Sequence, residues 1–263
     1  FANNDRPGIM QAGALRAYAN RWAVAAASEV AVFTNNDDGH RTASDLAAKG
    51  VKVAAIIDTR ANAPDHGDAE VLAGACVTDS RGRLGLSKIK VRSADGSQRW
   101  IKCGALGVSG GWNPNVHLTC HQRGRPVWNE AIAAFVPGAV GPVGLSSAGA
   151  ASGMFSTAAA LTGGAVAAVN ALGEIGIKAK AMAMPEAEDA PVSITAFWHV
   201  TGKGRAWLDQ QNDVTVKDVK LAHQENFQSV EHLKRYTTLG MATDQGKTSN
   251  IAGLAVMAEI AGK

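Results

Sequence analysis

The sequence predicts an α/β chain with a parallel sheet, followed by a small all-α module. Three observations predict it. A strand, a polar loop, a helix and a second strand follow one another between Glu29 and Asp58. Short strands separated by turn residues then run from Ala75 to Ser109. Three segments with helical periodicity close the chain after a Pro- and Glu-containing stretch. A strand joined through a helix to a second strand implies parallel pairing with helices on a sheet face.

Each element has its own signal. Met10 to Trp22 has helical spacing after the turn residues Arg6-Pro7-Gly8. Glu29 to Phe33 and Val51 to Ile57 are apolar strands, and Arg41 to Lys49 is a helix stopped by Gly50. Ala75 to Asp79, Leu84 to Arg92 and Gln98 to Cys103 are strands, with turns at Ser80-Arg81-Gly82-Arg83 and Ala94-Asp95-Gly96-Ser97. Ala105 to Ser109 is another strand. Asn129 to Phe135 reads as a strand pair or a helical turn, and Gly149 to Gly173 as one small-residue helix. Met182 to Ala196 is linker-like. Thr215 to Asn226, Ser229 to Thr238 and Thr248 to Ile260 are helices, each opened by a Ser or Thr cap.

Composition excludes several functions. The 263 residues are 46% hydrophobic and 19% charged, enough for a packed core. Net charge is +3 with Lys and Arg scattered along the chain, so no nucleic-acid footprint is expected. No run of about 18 apolar residues predicts a membrane span. Cys76, Cys103 and Cys120 fit neither a disulfide framework nor a metal site, which points to a reducing, cytoplasmic compartment. None of the seven histidines has metal-ligand spacing, so no metal site is expected and no catalytic residue is assigned. The opening Phe1-Ala2-Asn3-Asn4 has no Met and reads like a loop inside a longer protein.

Four segments carry chemistry. The turn Thr34-Asn35-Asn36-Asp37-Asp38-Gly39-His40 lies where a dinucleotide fold places a glycine-rich phosphate loop. It has one glycine, and Asp37 and Asp38 would repel phosphate, so they read as caps of the next helix. Asp58 stands at the ribose-binding position, about twenty residues on. The unit reads as Rossmann-like and without nucleotide. Gly107 to Leu118, with Gly110-Gly111 and Asn113-Pro114-Asn115, is a sharp exit from a strand. Ser147 to Thr157 is a small-residue run before a helix, where main-chain N–H groups can approach a phosphate. Finally, the segments Asp209 to Thr215 and Thr237 to Ser249 resemble a small helical module that binds a [2Fe-2S] cluster through Cys-x-Cys and Cys-Gln-Gly-x-x-Cys, with Asp209, Gln211, Asp244 and Ser249 at the ligand positions. A [2Fe-2S] cluster needs thiolates there, so none is expected.

The runs NNDRPGIMQAGALRAY, VFTNNDDGHRTASDLAAKG, SGGWNPNVHL and SVEHLKRYTTLGMATDQGKTSN resemble the alpha subunit of heterotetrameric sarcosine oxidase over nearly the whole chain. The resemblance implies a two-dinucleotide-domain flavoprotein fold with an incomplete first domain and a complete second one. Expected boundaries are a connector at 1–24, a nucleotide-free second Rossmann-like domain at 25–108, a returning part of the NAD domain at 109–184, and a linker with a cysteine-less [2Fe-2S]-type helical module at 185–263. It implies NAD in the intact subunit, FAD and FMN on the beta subunit, and gamma and delta subunits as further partners. Tetrahydrofolate would bind at a downstream domain. The implied activity is oxidative demethylation of sarcosine to glycine with O2, giving hydrogen peroxide and methylenetetrahydrofolate, or formaldehyde without folate. By position in the motif, Gly149, Ala150, Ala151, Gly153, Phe155 and Thr157 would form the closing wall of the NAD site. Two alternatives are a non-catalytic scaffold and a subunit of a related flavin-dependent opine or amino-acid dehydrogenase, whose members usually keep the cluster cysteines.

Overall fold

The computed structural model describes residues 1–67, 69–180, 182–189 and 193–262. The chain falls into two compact units. The first comprises Phe1–Asn35, Gly39–Gly110 and Phe197–Lys263, and the second Asn36–Asp38 and Gly111–Ala196.

The first unit is built on a five-stranded sheet. Its elements begin with β1 (Ile9–Gln11), α1 (Ala12–Trp22), β2 (Glu29–Thr34), α2 (Asp37–Ala47), β3 (Lys52–Asp58) and β4 (Val71–Ala73). Then come β5 (Cys76–Arg81), β6 (Lys88–Arg92), β7 (Gln98–Lys102) and β8 (Ala105–Ser109). Strand order is β1-β8-β2-β3-β4, and every pairing is parallel. β5-β6-β7 form a separate antiparallel sheet.

Alternation along β2 explains the layering. Val30 and Val32 point to one face, packing with Leu15 of α1 and Ala43 and Leu46 of α2. Ala31 and Phe33 point to the other, packing with Val77, Ile89 and Val91 of the antiparallel sheet. A parallel sheet covered on both faces requires such continuous apolar strands. Gly39, the one glycine of the β2–α2 turn, serves close packing: an added Cβ would lie 2.3 Å from Thr34 Oγ1. That is the helix–strand contact role of the last glycine in a dinucleotide turn.

Several expectations require correction. α2 begins at Asp37, four residues before Arg41. Asp37 and Asp38 therefore sit inside its first turn and do not cap it from outside; carboxylates there complement the helix dipole. β4 carried no strong strand signal. The β5–β6 connection is a loop over 82–87 and not a turn over 80–83, because β5 continues to Arg81 and β6 begins only at Lys88.

The C-terminal part of this unit follows β9 (Val127–Asn129), β10 (Ala134–Val136) and α3 (Thr157–Glu174) of the second unit in the chain, and has β11 (Trp207–Asp209), β12 (Val214–Thr215), α4 (Val216–Gln224), α5 (Val230–Thr237) and α6 (Asn250–Ala261). Its core is Val219, Ala222, Leu233, Leu239, Val256 and Met257. Thr215 and Asp218 make a capping box for α4, and Ser229 Oγ accepts from His232 N at α5. The third expected cap fails. Thr248 Oγ1 donates to Asp244 instead, and Ser249, at the N-cap position of α6, makes no capping bond. The Asn4 side chain ties this part to the N-terminal strand region by pairing both ways with the Trp207 backbone, at 2.9 and 2.8 Å.

The second unit contains the hairpin β9 (Val127–Asn129) and β10 (Ala134–Val136), joined through a 3₁₀ turn, and α3 (Thr157–Glu174). The stretch from Gly149 to Gly173 is not one helix. A 3₁₀ turn at Gly149–Ser152 ends at Gly153, which is left-handed at φ +81°. Among the described residues no helix is long and apolar enough to cross a membrane.

Candidate functional site

The end of the parallel sheet is where a Rossmann-like fold presents its ligand groups. There Asp58, at the end of β3, is fully buried. Its carboxylate accepts from Arg60 N at 2.9 Å, from Arg60 Nε at 3.1 and 3.2 Å and from Arg60 Nη2 at 2.7 Å. His40 Nε2 of α2 lies 2.8 Å from Asp58 Oδ2, which makes Nε2 the protonated ring nitrogen. Burial by itself would raise the Asp58 pKa. The hydrogen bonds from His40 and Arg60, with the charge of Arg60, outweigh burial and hold the carboxyl below its usual range. The carboxylate at the expected ribose position is thus engaged by the protein's own Arg60 and His40.

The acidic turn is engaged as well. Asp37 N donates to Ser193 O at 3.2 Å, and Ser193 N donates to Asp37 Oδ2 at 2.6 Å. Asn36 and Ile194 form an antiparallel bridge. Asn36 and Asp37 are thus held by backbone of their own compact unit.

The small-residue segment lies in the second unit. Gly149, Ala150 and Ala151 form the 3₁₀ turn, and Ala150, Ala151 and Thr157 are exposed. Gly153 has a packing role: an added Cβ would lie 2.8 Å from both Ile132 Cδ1 and Val136 Cγ1 of the hairpin. Phe155 is half-buried, and Thr157 opens α3. Ser156 caps α3 through Ala159 N at 3.2 Å. Ala158 N donates to Asp189 Oδ1 at 3.1 Å. A carboxylate at a helix N-terminus is the chemical equivalent of the anion that such a terminus attracts. Sequence reading missed Asp189, which sits 31 positions away inside the linker-like stretch. An open groove of about 610 Å³ runs beside this segment, lined by Ser147, Met154, Ala159, Gly163, Ala167 and Asn170. Of the predicted wall residues none lines it.

The four positions of the cluster frame are brought into two linked hydrogen-bonded turns. Asp209 is buried, and its Oδ1 accepts from Gln211 N at 2.9 Å and Asn212 N at 3.1 Å. Its Oδ2 accepts from Gly240 N at 2.8 Å. Thr243 Oγ1 donates to Gln211 Oε1 at 2.7 Å. Asp244 accepts from Gly246 N and from Thr248 Oγ1, and the Thr248 bond is the main cause that lowers its pKa. Ser249 is buried beside this turn. Polar bonds thus join the two turns. Elsewhere, burial and the nearby Glu29 charge push the Cys103 thiol up to about 12, as suits a packed, unreactive thiol.

Comparison with known proteins gives the same direction throughout the chain. Residues 203–263 match the sarcosine oxidase A3 domain family. The chain is 42% identical over 268 aligned positions to the sarcosine oxidase subunit alpha of Rhizobium meliloti, covering 100% of this chain and 27% of that protein. It is 39% identical over 284 positions to the subunit alpha of a Corynebacterium species, covering 100% and 29% respectively. The chain thus spans under a third of the length of these curated relatives. Among solved structures, the L-proline dehydrogenase of P. horikoshii superposes with a TM-score of 0.69 at 19% identity, covering 100% of this chain and 51% of that one. At that identity the likeness speaks for the fold alone, an α/β Rossmann-like arrangement followed by a helical part.

Proposed function

We infer that this chain, a homologue over its whole length of part of the sarcosine oxidase alpha subunit, is the scaffold of an oxidoreductase subunit whose substrate chemistry takes place elsewhere in the assembly. The carrying observation is the 42% identity that extends over all of this chain. In the proposed reaction the N-methyl carbon of sarcosine is oxidised, O2 takes two electrons and becomes hydrogen peroxide, and glycine is left. The methyl carbon leaves as methylenetetrahydrofolate, or, when folate is absent, as formaldehyde after water hydrolyses the iminium. FAD and FMN on a beta subunit would carry the electrons, with gamma and delta subunits completing the complex.

Within that reading the chain has two roles. The second Rossmann-like domain supports the sheet without nucleotide: both Asp58 oxygens are taken by Arg60 and His40, and Asp37 is bonded to Ser193. The stretch Gly149, Ala150, Ala151, Gly153, Phe155 and Thr157 would face the pyrophosphate of NAD. The fit of this group depends on Asp189. Ala150 and Ala151 are small and exposed, leaving room for main-chain approach, but Ala158 N is already bonded to a carboxylate. A phosphate fits when it replaces Asp189 there. NAD is read as a bound ligand and not as a hydride carrier.

The test is an oxygen-electrode assay of the full-length subunit assembled with its partners. One hydrogen peroxide per sarcosine consumed is expected, with free formaldehyde falling when tetrahydrofolate is added. Sarcosine-dependent dye reduction without O2 uptake would place the assembly with the dehydrogenases instead.

A further inference from the structure

The antiparallel sheet β5-β6-β7 has one apolar and one charged face. Val77, Ile89 and Val91 point inward and are fully buried. Lys88, Lys90 and Arg92 alternate with them along β6 and point the other way. Register places more cations beside these. Arg81 of β5 pairs with Lys88, and Lys88 pairs with Lys102 of β7, so three cations stand in a row across three strands. Lys90 pairs with Trp100. The Arg81 guanidinium and the Lys88 ammonium each lie 5.0 Å from the Trp100 ring centroid, and Lys90 lies 6.0 Å away.

Like charges directly opposite on neighbouring strands destabilise a sheet. Cation–π contacts with Trp100 offset part of that cost. Counter-charge does not offset the rest: among the described residues, none of Arg81, Lys88, Lys90, Arg92 and Lys102 makes an ion pair with a carboxylate. Asp79, the cross-strand neighbour of Lys90, is a carboxylate beside this face; its Oδ1 accepts from Asn3 Nδ2 at 2.7 Å and from Ser80 N at 2.8 Å, and its single charge stands against Arg81, Lys88, Lys90, Arg92 and Lys102. The chain as a whole balances 26 cationic against 23 acidic side chains, so this face concentrates an excess that the rest of the surface lacks. Retaining it at a cost in stability calls for a complementary partner.

We propose that the outer face of β5-β6-β7, centred on Trp100 and its surrounding lysines and arginines, docks onto a carboxylate-rich surface of another subunit. A protein partner suits the geometry better than nucleic acid. The Trp100 ring already carries its own cations and is not free to stack on bases. Three strands of this length make a patch roughly 10 Å by 15 Å from strand spacing and rise, the size of a short acidic helix and not a track of phosphates. The proposal rests on the reading of the chain as part of a multi-subunit oxidase.

The experiment measures association of the full-length alpha subunit with its purified partner subunits at low and at physiological ionic strength. Four forms are compared: wild type, Lys88→Glu with Lys90→Glu, Lys88→Arg with Lys90→Arg, and a control with Lys217→Glu and Lys220→Glu on the exposed side of α4. Charge reversal on the sheet is expected to slow association about 10- to 100-fold at low salt, with the difference shrinking as salt rises. The control should change the rate less than about twofold, and Lys88→Arg with Lys90→Arg should retain wild-type association. Assembly untouched by the reversal would overturn the proposal. So would a reversal that lowers the melting temperature of the isolated full-length subunit while leaving assembly intact, because the face would then be covered by the same polypeptide. Salt-sensitive wild-type binding to a DNA duplex, lost on reversal without any change in assembly, would reassign the face to nucleic acid. A wild-type subunit that assembles with nothing would instead defeat the multi-subunit reading itself.

Discussion

Replacing Asp58 with Ala is expected to destabilise the chain by about 3–5 kcal/mol at neutral pH, the usual cost of removing one partner from a buried ion pair. The carboxylate is fully buried and is the common acceptor for Arg60 and His40. Its loss leaves a buried guanidinium without counter-charge and frees the contact between α2 and the end of β3. Adding Arg60→Met should recover most of the lost stability, since the orphaned charge goes with it. The same carboxylate makes a pH prediction. Its folded pKa is below the ordinary Asp value of about 3.9, so the stabilisation is complete above that value. It is lost as pH falls through the lower folded value. Urea denaturation should therefore show the wild type and Asp58→Ala far apart at pH 7 and converging in acid below about pH 4. A difference under about 1 kcal/mol at pH 7 would show that Asp58 is not the lock described.

Asp209→Ala is the second large effect. The buried carboxylate accepts from Gln211 N, Asn212 N and Gly240 N, joining the β11–β12 connection to the turn before α6. Truncation strands three donors, at about 1–3 kcal/mol for each that water cannot reach. A loss of about 3 kcal/mol is expected in the C-terminal helical part. Asp209→Asn keeps one acceptor oxygen and should lose less. Amide exchange at Gly240 reads this directly: about 100-fold faster in Asp209→Ala, in line with the expected loss if exchange follows opening. Unchanged exchange would mean that the turn is held by other contacts.

The core of this architecture was legible from the residues. Continuous apolar runs in β2 and β3 announced a parallel sheet, and caps at Thr215 and Ser229 announced helices. What escaped depended on distant partners. The polar run Asn35 to Asp38 looks like loop because acidic residues suit both turns and first helical turns, and only the fold shows where α2 begins. The small-residue stretch after Ser147 looks uniformly helical by composition, yet the left-handed Gly153 and its contact with Ile132 break it. Arg60 and His40 gave no sign of sharing Asp58, nor did Asp189 of reaching Ala158. Lysines and arginines that count as scattered along the chain become neighbours once β5, β6 and β7 pair. The period-two pattern Lys88, Lys90, Arg92 was the available signal for that face.

Calorimetric titration of NAD into the full-length subunit decides where a dinucleotide contacts this chain. The account predicts that Ala151→Phe, which fills the exposed 3₁₀ turn before α3, weakens binding at least about tenfold, while Asp38→Asn changes it less than about twofold. Undiminished affinity in Ala151→Phe together with tighter binding in Asp38→Asn would contradict it, by placing the phosphates at the β2–α2 turn.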